Sequence, residues 1–209
     1  VSIGKYIVIE GADGTGKSTQ VELLLVALKK NGIDAIITQE PGGAAVGEKL
    51  RSIIKDGTLE RDPWTNVMLF TTSRRVSWIQ SIKPALDKGT WVIASRSYIS
   101  TIAYQGYGEG ISIARIIEFT KDNVDERYLH PDIVIILDLA NQDLRKSRID
   151  TRVSEHKVDT FESKTDDFQT AMQQGYVEFA HSQHIPIIDA GQKPQEVHTA
   201  IMTEINTLL

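Results

Sequence analysis

The chain has 209 residues, 41% of them hydrophobic and 24% charged, with a formal net charge of −5 and no cysteine. That composition supports a buried core in one domain spanning 1–209 and argues against disorder. Disulfides, thiolate metal sites and a cysteine nucleophile are excluded, and the basic surplus of a nucleic-acid-coating protein is missing. No stretch approaches a membrane span and no signal pattern opens the chain, so a cytoplasmic protein is expected, with neither nucleic acid nor membrane as partner.

Lys5–Glu10 is a β-branched run that predicts a strand, and Ser18–Lys30 carries Val21, Leu24, Leu25 and Leu28 at helical spacing. Asn31-Gly32 stops that helix. Ile33–Thr38 reads as a second strand and Val46–Lys55 as a short helix. Pro63 opens a long helix expected to run to about Lys88, with Gly89 as its stop. Thr90–Ala94 and Ile133–Leu139 are the third and fourth strands. Gln142–Arg152 and Phe161–Gln183 read as helices, Ile185–Ile188 as a last strand and Glu196–Leu208 as a closing helix. Between these, "DTRVSEHKVDT" (Asp150–Thr160) is the most polar interval, a solvated loop or a mobile flap. Strands alternating with helices predict an α/β fold: a doubly wound, five-stranded parallel sheet with helices on both faces.

Between the first strand and its helix stands "GADGTGKS", Gly11 to Ser18, matching G-x-x-x-x-G-K-[ST] in the strand–loop–helix context that the pattern requires. Gly11, Gly14 and Gly16 let successive backbone N–H groups curl around a phosphate, and the helix that follows adds the positive end of its dipole. Lys17 suits the β- and γ-phosphates and Ser18 a Mg²⁺ ion. The expected ligand is ATP, held by Gly11, Ala12, Asp13, Gly14, Thr15, Gly16, Lys17, Ser18 and Thr19.

Three further stretches complete the pattern: "TQEPGGAAVGEKLR" after strand two, "MLFTTSRR" inside the long helix and "SRSYISTIAYQGYGEG" after strand three. With the glycine loop and the later "PIIDAGQ", their order and content resemble thymidylate kinases, nucleoside-monophosphate kinases of the P-loop NTPase type that make dTDP from dTMP and ATP. The resemblance implies that Phe70 stacks on thymine, Arg74 donates to its carbonyl oxygen and Arg96 holds the acceptor phosphate. Ser100, Thr101 and Gln105 would surround the base edge, and Tyr104 would close off the 2′ position. Asp13 and Glu40 would sit near the sugar hydroxyl and the metal waters, and Arg51 alongside the acceptor. The adenine would lie against Arg148 and the turn of Ala190, Gly191 and Gln192. With Gly14 where some relatives carry an arginine, the catalytic cations beside Lys17 and Arg96 would be Arg148 and Arg152. Dimerisation is common in the family, and by that resemblance the long Pro63–Lys88 helix could supply the face of a homodimer.

Read without the resemblance, several of these residues have a second explanation. Phe70 and Tyr104 fit core positions as well as ligand contacts. Arg74 and Arg75 could be a solvated surface pair. Asp138, at the end of strand four, could be a metal ligand or the cap of the next helix. The chain also departs from the family pattern at Gln39, Ser95 and Thr160, where an arginine, an aspartate and a second arginine are usual. These departures keep one alternative in view, a nucleotide-binding module with reduced or lost turnover. A second, a kinase for another or modified pyrimidine deoxynucleotide, stays open because sequence does not place the side chains around the 5-methyl group.

Overall fold

The computed structural model describes residues 3–153, 160–161 and 164–209, with residues 152 and 153 described by their backbone alone. Most of the flap expected at 150–160, and the Arg152 side chain, therefore lie outside the described residues.

Five parallel strands form one sheet: β1 (Tyr6–Glu10), β2 (Ala35–Gln39), β3 (Trp91–Ser95), β4 (Ile133–Asp138) and β5 (Ile187–Asp189), in the order β2-β3-β1-β4-β5. Side chains alternate across a strand, and β1 divides accordingly. Tyr6 and Val8 enter one buried cluster with Val67, Trp78, Ile102 and Tyr128. Ile7 and Ile9 enter the other with Val21, Leu24, Leu28 and Ile201. Both faces being covered explains why the central strands read as unbroken apolar runs rather than as alternating ones.

The second cluster rests on α1 (Lys17–Lys30) and α9 (Pro194–Ile205). The first rests on α3 (Pro63–Ser77), α5 (Tyr98–Thr101), α6 (Ile113–Asn123) and α8 (Asp166–Gln183). Helix α2 (Ala45–Lys55) follows β2, and α7 (Gln142–Val153) follows β4. Asp62 caps α3 by accepting from the Trp64 and Thr65 backbone N–H groups at 2.9 and 3.0 Å. Pro63 takes the first helical position, where a missing N–H costs nothing.

Three expectations shift. The helix from Pro63 is continuous but not uniform: a π-helical turn at Trp78–Ile82 separates α3 from α4 (Lys83–Asp87). Pro84 lies just beyond, and a proline cannot donate to the carbonyl four residues back. The helix expected from Phe161 begins at Asp166, capped by the Thr165 hydroxyl. The region after β3, where the sequence suggests only a ligand-bearing stretch, is helical: α5 runs into a π-helical segment, Ile102–Gly108, and α6 follows.

The carboxyl ends of β1, β2 and β3 lead directly to Gly11, Glu40 and Arg96. β1 sits where the chain order reverses across the sheet, the place at which open α/β sheets leave a ligand crevice.

Candidate active site

The loop after β1 takes backbone shapes that demand glycine. Gly14 and Gly16 have φ of +84° and +87°. Gly16 caps α1 with no side-chain hydrogen bond, so the first N–H groups of that helix are left for a ligand. The Lys17 ammonium folds back over the loop and donates to the Ala12 carbonyl at 2.7 Å, and the Thr15 hydroxyl donates to the same oxygen at 2.9 Å. Ser18 and Thr19 are exposed at the start of α1. Arg148, on α7, donates to the Ala190 carbonyl at 3.0 Å and lies 3.5 Å from the Gly14 carbonyl. One guanidinium thus joins the glycine loop to the turn of Ala190, Gly191 and Gln192. Arg152 follows Arg148 by one helical turn on the same backbone.

Beside the loop opens a cleft of about 560 Å³, counting its mouth. Glu40, Arg51, Phe70, Arg74, Arg96, Ser100, Thr101, Tyr104 and Gln105 all line it, and Asp13 joins them from the loop. Ile54, Lys55, Pro41 and Phe161 complete the wall. Phe161 packs edge-on to Tyr104 at 5.7 Å between ring centres and lies 5.9 Å from Phe70, so the cleft has an aromatic end. Gln105 is fully buried here, and neither its amide oxygen nor its amide nitrogen has a hydrogen-bond partner. A buried, unpaired amide costs stability unless something else completes it.

The opposite end is charged. Arg96 has φ of +77°, a left-handed backbone that a non-glycine residue adopts at a cost of about 1–3 kcal/mol. Its side chain supplies the compensation. It donates to Asp13 at 2.5 Å, to the Ser100 hydroxyl at 3.0 Å, to the Tyr176 hydroxyl at 3.2 Å and to the Gly11 carbonyl at 3.2 Å. The Tyr104 hydroxyl donates to the other Asp13 oxygen at 3.0 Å. Burial opposes ionisation of Asp13, but Arg96 and Lys17 overcome it and hold the carboxyl well below its usual range. Burial likewise works against the charge on Arg96, while Asp13 fixes it.

Arg74 is buried, which rules out the solvated-pair reading for it; Arg75 is exposed and donates to the Asn123 carbonyl. Asp138 is not the cap of α7, since Asn141 accepts from the Leu144 N–H, and it accepts instead from the Gln173 amide at 3.2 Å. Among the described residues no group of three or more His, Asp or Glu side chains could hold a metal ion. Gln39 ends β2 exposed, Ser95 contributes its carbonyl to the Glu40 N–H, and the Thr160 hydroxyl reaches the Ile54 carbonyl.

Sequence reasoning misses the scaffold of the site. Glu10, fully buried, accepts from the Ser97 N–H at 2.6 Å, the Ser100 hydroxyl at 2.8 Å and the Tyr176 hydroxyl at 3.1 Å. One carboxylate therefore sets the Arg96–Ser100 turn against the glycine loop and α8. An acidic residue closing an otherwise apolar strand was the available signal. Tyr176 carried none, because its spacing on α8 is that of a core residue.

A parallel sheet with a glycine loop between its central strand and a helix, and a charged cleft alongside, places the chain among the phosphate-loop nucleotide-binding α/β proteins. A family model described as "Thymidylate kinase" matches residues 9–201. A thymidylate kinase of Carboxydothermus hydrogenoformans is 34% identical over 93% of this chain and 93% of its own length. Another, of Halothermothrix orenii, is 33% identical over 99% and 98%. A crystal structure of thymidylate kinase from Ehrlichia chaffeensis superposes with a TM-score of 0.76 at 27% identity, covering 97% of this chain and 98% of that one. The chain belongs to the thymidylate kinase family.

Proposed function

We propose that the protein transfers the γ-phosphate of ATP to dTMP, giving dTDP and ADP, in the cytoplasm. The observation that carries the acceptor's identity is the Gln105 amide, buried in the cleft with its oxygen and nitrogen both unpaired. An amide oxygen that accepts and an amide nitrogen that donates match the N3–H and a carbonyl of a thymine ring. Phe70 offers a face for that ring, and the Arg74 guanidinium lies 5.3 Å from the Phe70 centroid. Arg74 carries donors only, so it suits a carbonyl and would leave the amino group of cytosine unpaired.

Phosphoryl transfer asks the protein for position and charge rather than for a nucleophilic side chain. The Gly11–Thr19 segment cradles the donor's phosphates, and Lys17 exchanges its Ala12 carbonyl for them. Arg96 stands between loop and cleft and is the group that brings the acceptor phosphate to the donor. Asp13, ionised at neutral pH, keeps Arg96 aimed, and Tyr104 braces Asp13 while filling the space beside the sugar. Glu40 anchors Arg74, and Arg51, whose guanidinium holds the Pro41 carbonyl at 2.7 Å, flanks the acceptor. Arg148 and Arg152 add positive charge over the donor, and the Ala190–Gln192 turn borders the adenine. Mg²⁺, held by Ser18 and phosphate oxygens with waters completing the shell, would neutralise charge on the transferring group; an exposed hydroxyl beside the phosphate loop suits an ion that takes few protein ligands. A flap about Asp150–Thr160 would exclude water, and the exposed Met68 and Ile79 support a homodimer face along the long helix.

A coupled assay of ADP release, with each nucleoside monophosphate offered in turn, tests the reading. The highest kcat/KM is expected for dTMP, and equal values for dTMP and dCMP would overturn the assignment.

A further inference from the structure

Arg74 is held from three directions. Its Nε donates to Glu40 Oε2 at 3.0 Å, one terminal nitrogen to the Thr101 hydroxyl at 2.7 Å and the other to the Ser97 carbonyl at 2.7 Å. Glu40 supplies the only carboxyl in that set, and its own hold is lopsided. Oε2 also accepts from the Tyr128 hydroxyl at 2.5 Å, whereas Oε1 is buried without a partner. The terminal torsion of a glutamate is broad, so its covalent geometry does not fix the carboxylate plane. The two donors on Oε2 do.

Tyr128 comes from a 3₁₀ turn, Arg127–Leu129, and does not line the cleft. Its ring cannot drift: Tyr6, Trp78 and Tyr98 lie 6.1, 5.7 and 6.3 Å from its centroid. A fixed ring presents a fixed hydroxyl. We infer that Tyr128 is a positioning residue for acceptor recognition: through Glu40 it aims the Arg74 guanidinium at the base. The inference rests on the cleft being the dTMP site. Without the Tyr128 hydroxyl, Oε2 keeps only Arg74, the carboxylate turns toward whichever oxygen is better satisfied, and the guanidinium turns with it. A tyrosine serving only the core would contribute to stability and leave substrate recognition untouched.

The test is steady-state kinetics of Tyr128→Phe beside the wild type, with dTMP and ATP varied separately. The KM for dTMP is expected to rise about three- to tenfold, the size of effect that losing one buried hydrogen bond carries. The kcat and the KM for ATP should stay within about twofold, since the donor loop is untouched. In a Glu40→Gln background the same substitution should add nothing further, because the route to Arg74 is already altered. Glu40→Gln alone is the second variant, should Tyr128→Phe not fold, and should itself raise the KM for dTMP. An unchanged KM for dTMP in either single variant, or an undiminished effect in the double variant, overturns the inference while the proposed function stands. A wild-type enzyme that prefers another monophosphate overturns the function, and the inference with it.

Discussion

Lys17 is nearly buried, yet the described bond of its ammonium goes to a carbonyl of its own loop, five residues back. Such a side chain contributes charge at a defined place and little to the core. Lys17→Ala should therefore lower kcat by at least 10²–10³-fold, on the order of losing one preorganised donor to a developing charge, with the melting temperature within about 2 °C of wild type. Near-wild-type turnover would remove the loop as donor site. Glu40 behaves differently because burial dominates it. Desolvation pushes its carboxyl up to about 7, against the pull of Arg74 and the Tyr128 hydroxyl, and Glu10 adds to the rise. With the folded value above the unfolded one, the folded protein binds the proton more tightly. Glu40's contribution to stability is full below the unfolded pKa and is lost as pH rises through about 7. Paired melts against Glu40→Gln, which does not titrate, should show the wild type losing ground between pH 5 and pH 8. A constant difference across that range would contradict the assignment.

At the scale of elements, the glycine loop and α7 are fitted to each other. A Cβ on Gly14 would lie 2.9 Å from the Arg145 carbonyl oxygen and 3.0 Å from Arg145 Cγ, whereas one on Gly16 would meet nothing within 4 Å. Both positions have positive φ, so alanine at either carries a torsional penalty of about 1 kcal/mol or more. Only at Gly14 must a helix backbone also move, and that helix carries Arg148. Gly14→Ala should lower the melting temperature more than Gly16→Ala, by roughly 2–4 °C for each additional kcal/mol, and calorimetry of the two variants measures the difference. Legibility followed the same local logic. The strand, glycine loop and α1 were readable because their signals lie within one short segment. Helix α6 was also within reach, since Ser112 caps it and Ile116 and Thr120 are buried one turn apart. The π-helical segments were not, because a shift from four-residue to five-residue hydrogen bonding leaves the apolar pattern nearly unchanged.

Across the whole molecule, Arg96 and Asp13 tie the glycine loop to the cleft, and Glu10 ties both to α8 through Tyr176. A ligand in the cleft engages groups from several elements at once and should stabilise the folded state as a unit. At dTMP a hundredfold above its dissociation constant, mass action contributes about 2.7 kcal/mol. For a chain of this length that raises the melting temperature by roughly 5–10 °C. Thermal melts with dTMP and with dCMP at equal concentration check it: the shift should be clearly larger with dTMP, and no shift at saturating dTMP would contradict the site.

By itself the sequence determined what depends on neighbours along the chain. The alternation of strands and helices follows from apolar periodicity, and the phosphate loop from glycines spaced for a particular backbone path. The family resemblance that the motifs carry pointed to the cleft residues, but whether Phe70 faced a ligand or the core was open on spacing alone. Only the tertiary structure decided that Arg74 is buried on Glu40, that Tyr128 reaches Glu40 across 88 residues, and that Tyr176 reaches Glu10 across 166. Such contacts depend on the strand order β2-β3-β1-β4-β5, which brings the ends of β1, β2 and β3 to one edge. No local propensity encodes that order. It emerges when both faces of the sheet are buried together, and the polar partners are set by where that burial leaves them.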